Sequence, residues 1–297
     1  RLANRSGQVD TGETDAPKPA TSPPAVEVRQ LSYHVGSHPI LTEVTLAVQQ
    51  GDFLAIVGAN GAGKTTLAQH LAGILPSPPN TVLLHGKDLR QLSALERSRQ
   101  VGYVFQNPEH QFVTGSVADE IRFGLRVMKL SESEVTERAD GLLAGFNLRR
   151  YARANPFTLS HGEKRRLSVA TMLAMGQQIL LLDEPTFGQD QRNAAELLQL
   201  LSNLHQEGRT IILITHDMAL VAQYAQQVAV MSQGRLLAHD TVLVLFAQPD
   251  LLAAARLKPP PLAQLAGSGQ PLLTVAEFVT NYSRARAGED WPTHGVG

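Results

Sequence analysis

An α/β fold built on a parallel sheet, with an antiparallel β subdomain and an inserted α-helical subdomain, is what the sequence of 297 residues predicts. Three stretches carry that expectation. In the first, the apolar run Phe53-Leu54-Ala55-Ile56-Val57 meets Gly58-Ala59-Asn60-Gly61-Ala62-Gly63-Lys64-Thr65-Thr66, and the helical pattern Leu67-Ala68-Gln69-His70-Leu71 follows. Strand, glycine loop and helix in that order are the context of a phosphate-binding loop. The second is Ile179-Leu180-Leu181-Leu182, apolar at every position and so suited to a parallel strand covered on both faces. It ends in Asp183-Glu184. The third is a region of helical patterns, at about 107–175, that separates the other two.

Residues 1–25 are rich in Pro, Thr, Ser, Gly and Asp and read as a disordered linker or tail. Val26, Val28 and Leu31 begin a strand, and Leu41, Val44, Leu46 and Val48 alternate loosely as another. Gly51-Asp52 is the turn into the strand that feeds the glycine loop. Residues 81–86 form one more short strand, and Val101-Gly102-Tyr103-Val104-Phe105 is a buried-strand pattern ending at Gln106. Helix starts follow at Ser116-Val117-Ala118-Asp119 and Ser131-Glu132-Ser133-Glu134, each a Ser with an acidic residue three positions on. After the 179–182 strand come a Leu-rich helix at about 191–206, a strand at 210–214 and a helix near 218–224. Val228 to Met231 and Arg235 to Ala238 read as a closing pair of strands about the Gln233-Gly234 turn. The expected organisation is therefore one domain at 26–248 and a partly disordered extension at 249–297, with a compact hint at 271–278.

The glycine loop defines the chemistry. Gly58, Gly61 and Gly63 allow backbone angles at which successive N–H groups of Ala59, Asn60, Ala62 and their neighbours turn inward on an anion. The following helix adds partial positive charge at the same point. Lys64 can reach the β- and γ-phosphates of a nucleoside triphosphate, and the Thr65 hydroxyl can ligate Mg²⁺ beside Thr66. Asp183 and Glu184, at a neighbouring strand end, suit Mg²⁺ binding and activation of an attacking water. Ser160-His161-Gly162-Glu163 is a capping box and, as a helix N-terminus with a Ser hydroxyl, also an anion site. Gln106 and His216 each follow a β-run and so lie at the sheet edge where ligands bind.

Taken in order, residues 58–66, Gln106, residues 159–163, residues 179–184, Asp190 and His216 resemble the nucleotide-binding subunit of ABC transporters, from residue 26 to about 238. The resemblance implies a phosphate-loop ATPase core with ATP and Mg²⁺, the metal held through Thr65, Gln106 and Asp183. It implies that Gln106 senses the γ-phosphate and Mg²⁺, that Glu184 polarises the hydrolytic water, and that His216 contacts the γ-phosphate. It further implies that Ser160, His161, Gly162 and Glu163 meet ATP held by the opposite member of a head-to-tail dimer, with Asp190 crossing the interface.

Within that superfamily, Gln106-Asn107-Pro108-Glu109-His110-Gln111 followed by Ser116-Val117-Ala118-Asp119-Glu120 looks like the ATPases of energy-coupling-factor vitamin and metal importers. Residues 164–170 and 186–190 are similar to the hydroxymethylpyrimidine/thiamine branch. The partners this implies are a second ABC ATPase subunit or domain, a transmembrane coupling subunit and a substrate-binding membrane subunit, at the cytoplasmic face of the membrane. Three positions depart from the family pattern. Leu-Ser-His-Gly-Glu stands at 159–163 where Leu-Ser-Gly-Gly-Gln is usual, Phe187-Gly188-Gln189 replaces small residues before Asp190, and Val35 aligns with the aromatic that stacks on adenine.

Composition narrows the classes. A formal net charge of −1 offers no global basic field, so no nucleic-acid partner is expected. The absence of cysteine excludes disulfides and thiolate metal sites. No apolar run approaches the ~18–20 residues that span a bilayer, so a membrane role would run through a partner. A non-transport ABC ATPase is the alternative, but a DNA-repair type needs a coiled-coil insertion longer than 106–159, and residues 11–24 are not the basic linker of a translation factor. The start at Arg1 and the Pro-rich stretch before Val26 suggest the second ATPase half of a longer chain, or one member of an unequal pair.

Overall fold

The computed structural model describes residues 22–260. Strands β1 (Val26–Val35), β2 (His38–Val48), β4 (Val82–Leu84) and β5 (Lys87–Asp88) form a four-stranded antiparallel sheet in the order β2-β1-β4-β5. A six-stranded sheet runs β10-β9-β3-β8-β7-β6, where β3 is Phe53–Val57, β6 Val101–Val104, β7 Ile179–Asp183, β8 Thr210–Ile214, β9 Gln227–Ser232 and β10 Arg235–Thr241. Its strands are parallel except for β10, which returns antiparallel on β9.

Strands β3, β7 and β8 are buried at every residue, as unbroken apolar runs require. Their side chains alternate between two faces. Leu54, Ile56, Ile179, Leu181, Ile212 and Ile214 join the antiparallel sheet and α1 (Lys64–Leu71) in one core. On the opposite face Leu180, Leu182, Ile211 and Leu213 pack under the helical subdomain, and Ala55 and Val57 pack under the C-terminal helices. Each such side chain contributes roughly 1.5–3 kcal/mol when fully buried. The sheet is thus clamped from both sides, and the segments that follow β3, β6, β7 and β8 all leave the C-terminal edge of its parallel strands.

The helical region comprises α2 (Ala94–Gln100), which precedes β6, and then α3 (Val117–Val127), α4 (Glu132–Gly145) and α5 (His161–Ala174). Ser131 and Ser160 each complete a capping box with Glu134 and Glu163. Ser116 caps α3 by accepting from the Asp119 N–H, but the shorter Asp119 carboxylate accepts from the Ser116 hydroxyl at 2.6 Å instead of reaching back to the backbone. Helix α2 is absent from the sequence reading although Ser93 and Glu96 form a third box. Residues 82–84 pair with β1 and so belong to the antiparallel sheet. The chain continues as α6 (Gln191–Gln206), α7 (Met218–Tyr224), α8 (Val242–Phe246) and α9 (Pro249–Ala254). Leu252, Ala255 and Leu257 are buried against the core, so ordered chain extends past 248. The linker at 1–21 and the 271–278 hint lie outside the described residues.

The antiparallel sheet grips the glycine loop through the β9–β10 turn. Gly234 donates to Ala62 O at 3.2 Å and accepts from Thr42 N–H at 2.8 Å.

Candidate functional site

The turn from β3 into α1 leaves no room for side chains at two glycines. A Cβ on Gly58 would lie 2.3 Å from Met231 O, and one on Gly63, whose φ is 95°, would lie 2.9 Å from Ile40 O. Lys64 is buried, and its Nζ donates to Gly58 O at 2.8 Å and Ala59 O at 3.1 Å, closing the loop on itself. Burial lowers the affinity of that amine for its proton, while Glu184 and Asp183 act in the opposite sense. In front of the loop lies a cavity of about 490 Å³. Asn60, Gly61, Ala62, Gly63, Lys64, Thr65 and Thr66 line it together with Gln106, Asp183, Glu184 and His216. Gly58 and Ala59 instead line a second hollow of about 520 Å³, with His216.

Asp183 closes β7 and is 2% exposed. Its Oδ2 accepts from the Tyr103 hydroxyl at 3.1 Å, and Thr65 also hydrogen-bonds its side chain. Its Oδ1 is buried with no hydrogen-bond partner. Burial raises the carboxyl above its usual range, against the pull of Thr65, Tyr103, Lys64 and Arg165. The same desolvation, reinforced by Asp183, pushes the Tyr103 phenol up. An orphaned carboxylate oxygen beside a hydroxyl and the Gln106 amide is a hard-oxygen set. It suits Mg²⁺, which keeps waters and takes its remaining ligands from substrate phosphates. Among the described residues no group of three or more His, Cys, Asp and Glu could hold a resident metal by itself.

Glu184 sits next along the chain at φ 46°, a left-handed angle that costs a non-glycine residue roughly 1–3 kcal/mol. Its N–H donates to Ile214 O at 2.9 Å, and its Oε1 accepts from His216 Nδ1 at 2.8 Å. These bonds hold the carboxylate at the cavity mouth despite the strain. The arrangement can present a base to a water beside a phosphate.

Arg165 and Tyr103 are the residues that sequence reasoning missed. Arg165 is fully buried in α5 and donates to the carbonyl oxygens of Phe105 and, at 2.6 Å, Gln106. Burial pushes its guanidinium down to about 10, with Asp183 opposing. It fixes the end of β6, from which Gln106 enters the cavity. Arg165 stands in the charged run Lys164-Arg165-Arg166, which gives no local sign that its side chain is fully buried.

Ser160, Glu163 and Asp190 are not brought to the loop of their own chain. They line a separate polar hollow of about 540 Å³ at the N-termini of α5 and α6. Asp190 caps α6 by accepting from Asn193 N–H at 2.9 Å, and a Cβ on Gly162 would lie 2.9 Å from Asn193 Cγ. His161 points the other way, into a hollow of about 400 Å³ shared with Gln106 and Phe187. In β1 Val35 is exposed, while Tyr33 is half-buried with its ring edge-on to His70 at 4.8 Å.

The family model described as ABC transporter matches residues 41–187. An ABC transporter ATP-binding protein of Pyrococcus furiosus is 39% identical over 243 residues, 81% of this chain and 92% of that protein. This chain belongs to the ABC transporter ATP-binding proteins. The cassette is also 40% identical to such a protein of Methanosarcina acetivorans, over 92% of this chain and 46% of the relative. A Bacillus subtilis protein named for HMP/thiamine import, YkoD, is 39% identical over 82% of the cassette and 43% of its own length. The cassette thus spans under half of those two relatives. In structure it is similar to cbiO1 of Clostridium perfringens, part of the ABC transporter complex cbiONQ, at TM-score 0.70 and 31% identity over 82% of this chain and 98% of that one. ABC transporter ATP-binding proteins are ATPases coupled to transport. Among the described residues no helix is long and apolar enough to cross a membrane.

Proposed function

We propose that the cassette binds ATP with Mg²⁺ in the 490 Å³ cavity and hydrolyses it to energise an importer of the energy-coupling-factor type. The observation that carries this reading is the convergence of the loop, the orphaned Asp183 oxygen and the Glu184–His216 pair on one cavity. The loop amides and Lys64 hold the β- and γ-phosphates. Thr65, Gln106 and Asp183 hold Mg²⁺, which when bound offsets charge on the phosphate oxygens. Glu184 takes a proton from the attacking water as that oxygen bonds to the γ-phosphorus and the bond to the β–γ bridging oxygen breaks. His216, donating from Nδ1, orients the carboxylate and lies within reach of the γ-phosphate. ADP and inorganic phosphate leave.

The Ser160–Glu163 turn and Asp190 complete the site of a second ABC ATPase subunit or domain in a head-to-tail dimer. Their distance from their own loop cavity supports that arrangement. The cassette works peripherally at the cytoplasmic face of the membrane with a transmembrane coupling subunit and a substrate-binding membrane subunit. A vitamin, vitamin precursor or metal ion is the cargo, with hydroxymethylpyrimidine/thiamine favoured by the similarity to YkoD.

Glu184→Gln tests the site. The variant should bind ATP normally and lose turnover by roughly 10²–10⁴-fold, since only proton transfer is removed. Near-normal hydrolysis by the complex purified in detergent would overturn the assignment, and the membrane proteins that co-purify identify the transport class.

A further inference from the structure

Two of the sequence departures meet in space. His161 Nε2 lies 3.1 Å from Phe187 O, and because a carbonyl only accepts, the ring must carry its proton on Nε2. Gly188, at φ 72°, follows under the same ring, where a Cβ would be 3.7 Å from His161 Nε2. The rest of the loop is stapled to itself. Gln189 Nε2 donates to Pro185 O at 2.5 Å, Phe187 N–H to Glu184 O at 3.1 Å and Gln189 N–H to Thr186 O at 3.2 Å. This loop begins at Glu184 and ends at Asp190, the cap of α6. The exposed Phe187 ring lines both the nucleotide cavity and the hollow that holds His161. A glycine at position 161 could make none of these side-chain contacts.

We propose that His161 is a positioning residue: within its own chain it latches the first turn of α5 to the 185–190 loop. It thereby sets Phe187 and the Glu184 backbone in the nucleotide cavity. The start of α5 faces the polar hollow through Ser160, so the latch joins that hollow rigidly to the hydrolytic carboxylate. Only the consequence for turnover rests on the function proposed above.

Hydrogen exchange on the nucleotide-free chain tests the contact, and steady-state hydrolysis by the assembled complex tests its consequence. His161→Leu keeps the bulk and removes the donor; His161→Gln restores a donor at similar reach. Loss of one hydrogen bond predicts exchange at Phe187 and Gln189 faster by about threefold or more in His161→Leu, and within about twofold of the parent in His161→Gln. In the same pair kcat should fall about tenfold and recover. Unchanged exchange in His161→Leu, or no recovery in His161→Gln, overturns the latch. Faster exchange with unchanged kcat overturns its positioning role. A parent complex that hydrolyses no ATP refutes the function proposal instead, and the exchange arm still decides the contact.

Discussion

At the residue scale, Asp183 shows how a site can be destabilising by itself. Its carboxyl is buried, one oxygen lacks a partner, and burial raises its pKa above the ordinary 3.8. The unfolded chain therefore ionises first as pH rises. The stability penalty is absent below about the ordinary value, grows as pH climbs through the raised one, and is complete above it. At pH 7 without nucleotide, Asp183→Asn should raise stability by on the order of 1 kcal/mol, because an amide meets the same surroundings without the charge. It should also weaken Mg²⁺-dependent ATP binding. A thermal midpoint equal to or below that of the parent would contradict this. Glu184 stores a second cost in its left-handed backbone, so two adjacent residues at the cavity are held at the expense of the fold.

At the element scale, the β1–β2 hairpin is where the proposed ATP site would be expected to offer an aromatic ring to the base. Tyr33 is committed to His70, whose Nδ1 is within 3.0 Å of Ser77 Oγ, and the exposed Val35 offers no π-face. Stacking contributes roughly 1–3 kcal/mol per base in nucleic-acid binders, so without it GTP should compete within about tenfold of ATP. Tyr33→Ala should cost stability and leave the ATP-to-GTP ratio alone. A competition titration checks both, and a selective loss of ATP affinity would show that the Tyr33 ring stacks after all. Elements whose signal is local were legible in the sequence: β3 with its glycine loop, the unbroken run of β7, and the Ser–Glu caps of α4 and α5. Helix α2 escaped because no apolar face supports its cap; none of its residues is buried. Arg165 and Tyr103 escaped for another reason. Arg165 reaches a carbonyl 60 positions away and Tyr103 a carboxylate 80 positions away, and neither pairing leaves a mark in local spacing.

At the scale of the whole molecule, two sheets meet at one loop, and Gly234 is where they are tied. Its φ is +75°, and a Cβ there would lie 2.4 Å from Ile40 O, a backbone atom that cannot rotate away. Gly234→Ala should therefore cost more than about 2 kcal/mol, combining the backbone conflict with overpacking. Gly36→Ala is the control, since its φ is +59° with open space around the added carbon, and it isolates the conformational part. Equal losses in thermal midpoint for the two variants would show that the tie at Ile40 carries no weight.

That tie also separates the recognisable segment from the unit that folds. The family match stops at residue 187, and the motifs proposed for chemistry end at His216. Strand β9 nevertheless flanks β3 directly, and the turn beyond it is hydrogen-bonded to Ala62. A fragment cut after residue 226 would keep every nucleotide motif, yet it would expose the flank of its own phosphate strand as a raw sheet edge open to pairing between chains. The smallest transplantable cassette is set by where the β3 sheet closes, some distance past the last residue that could touch ATP.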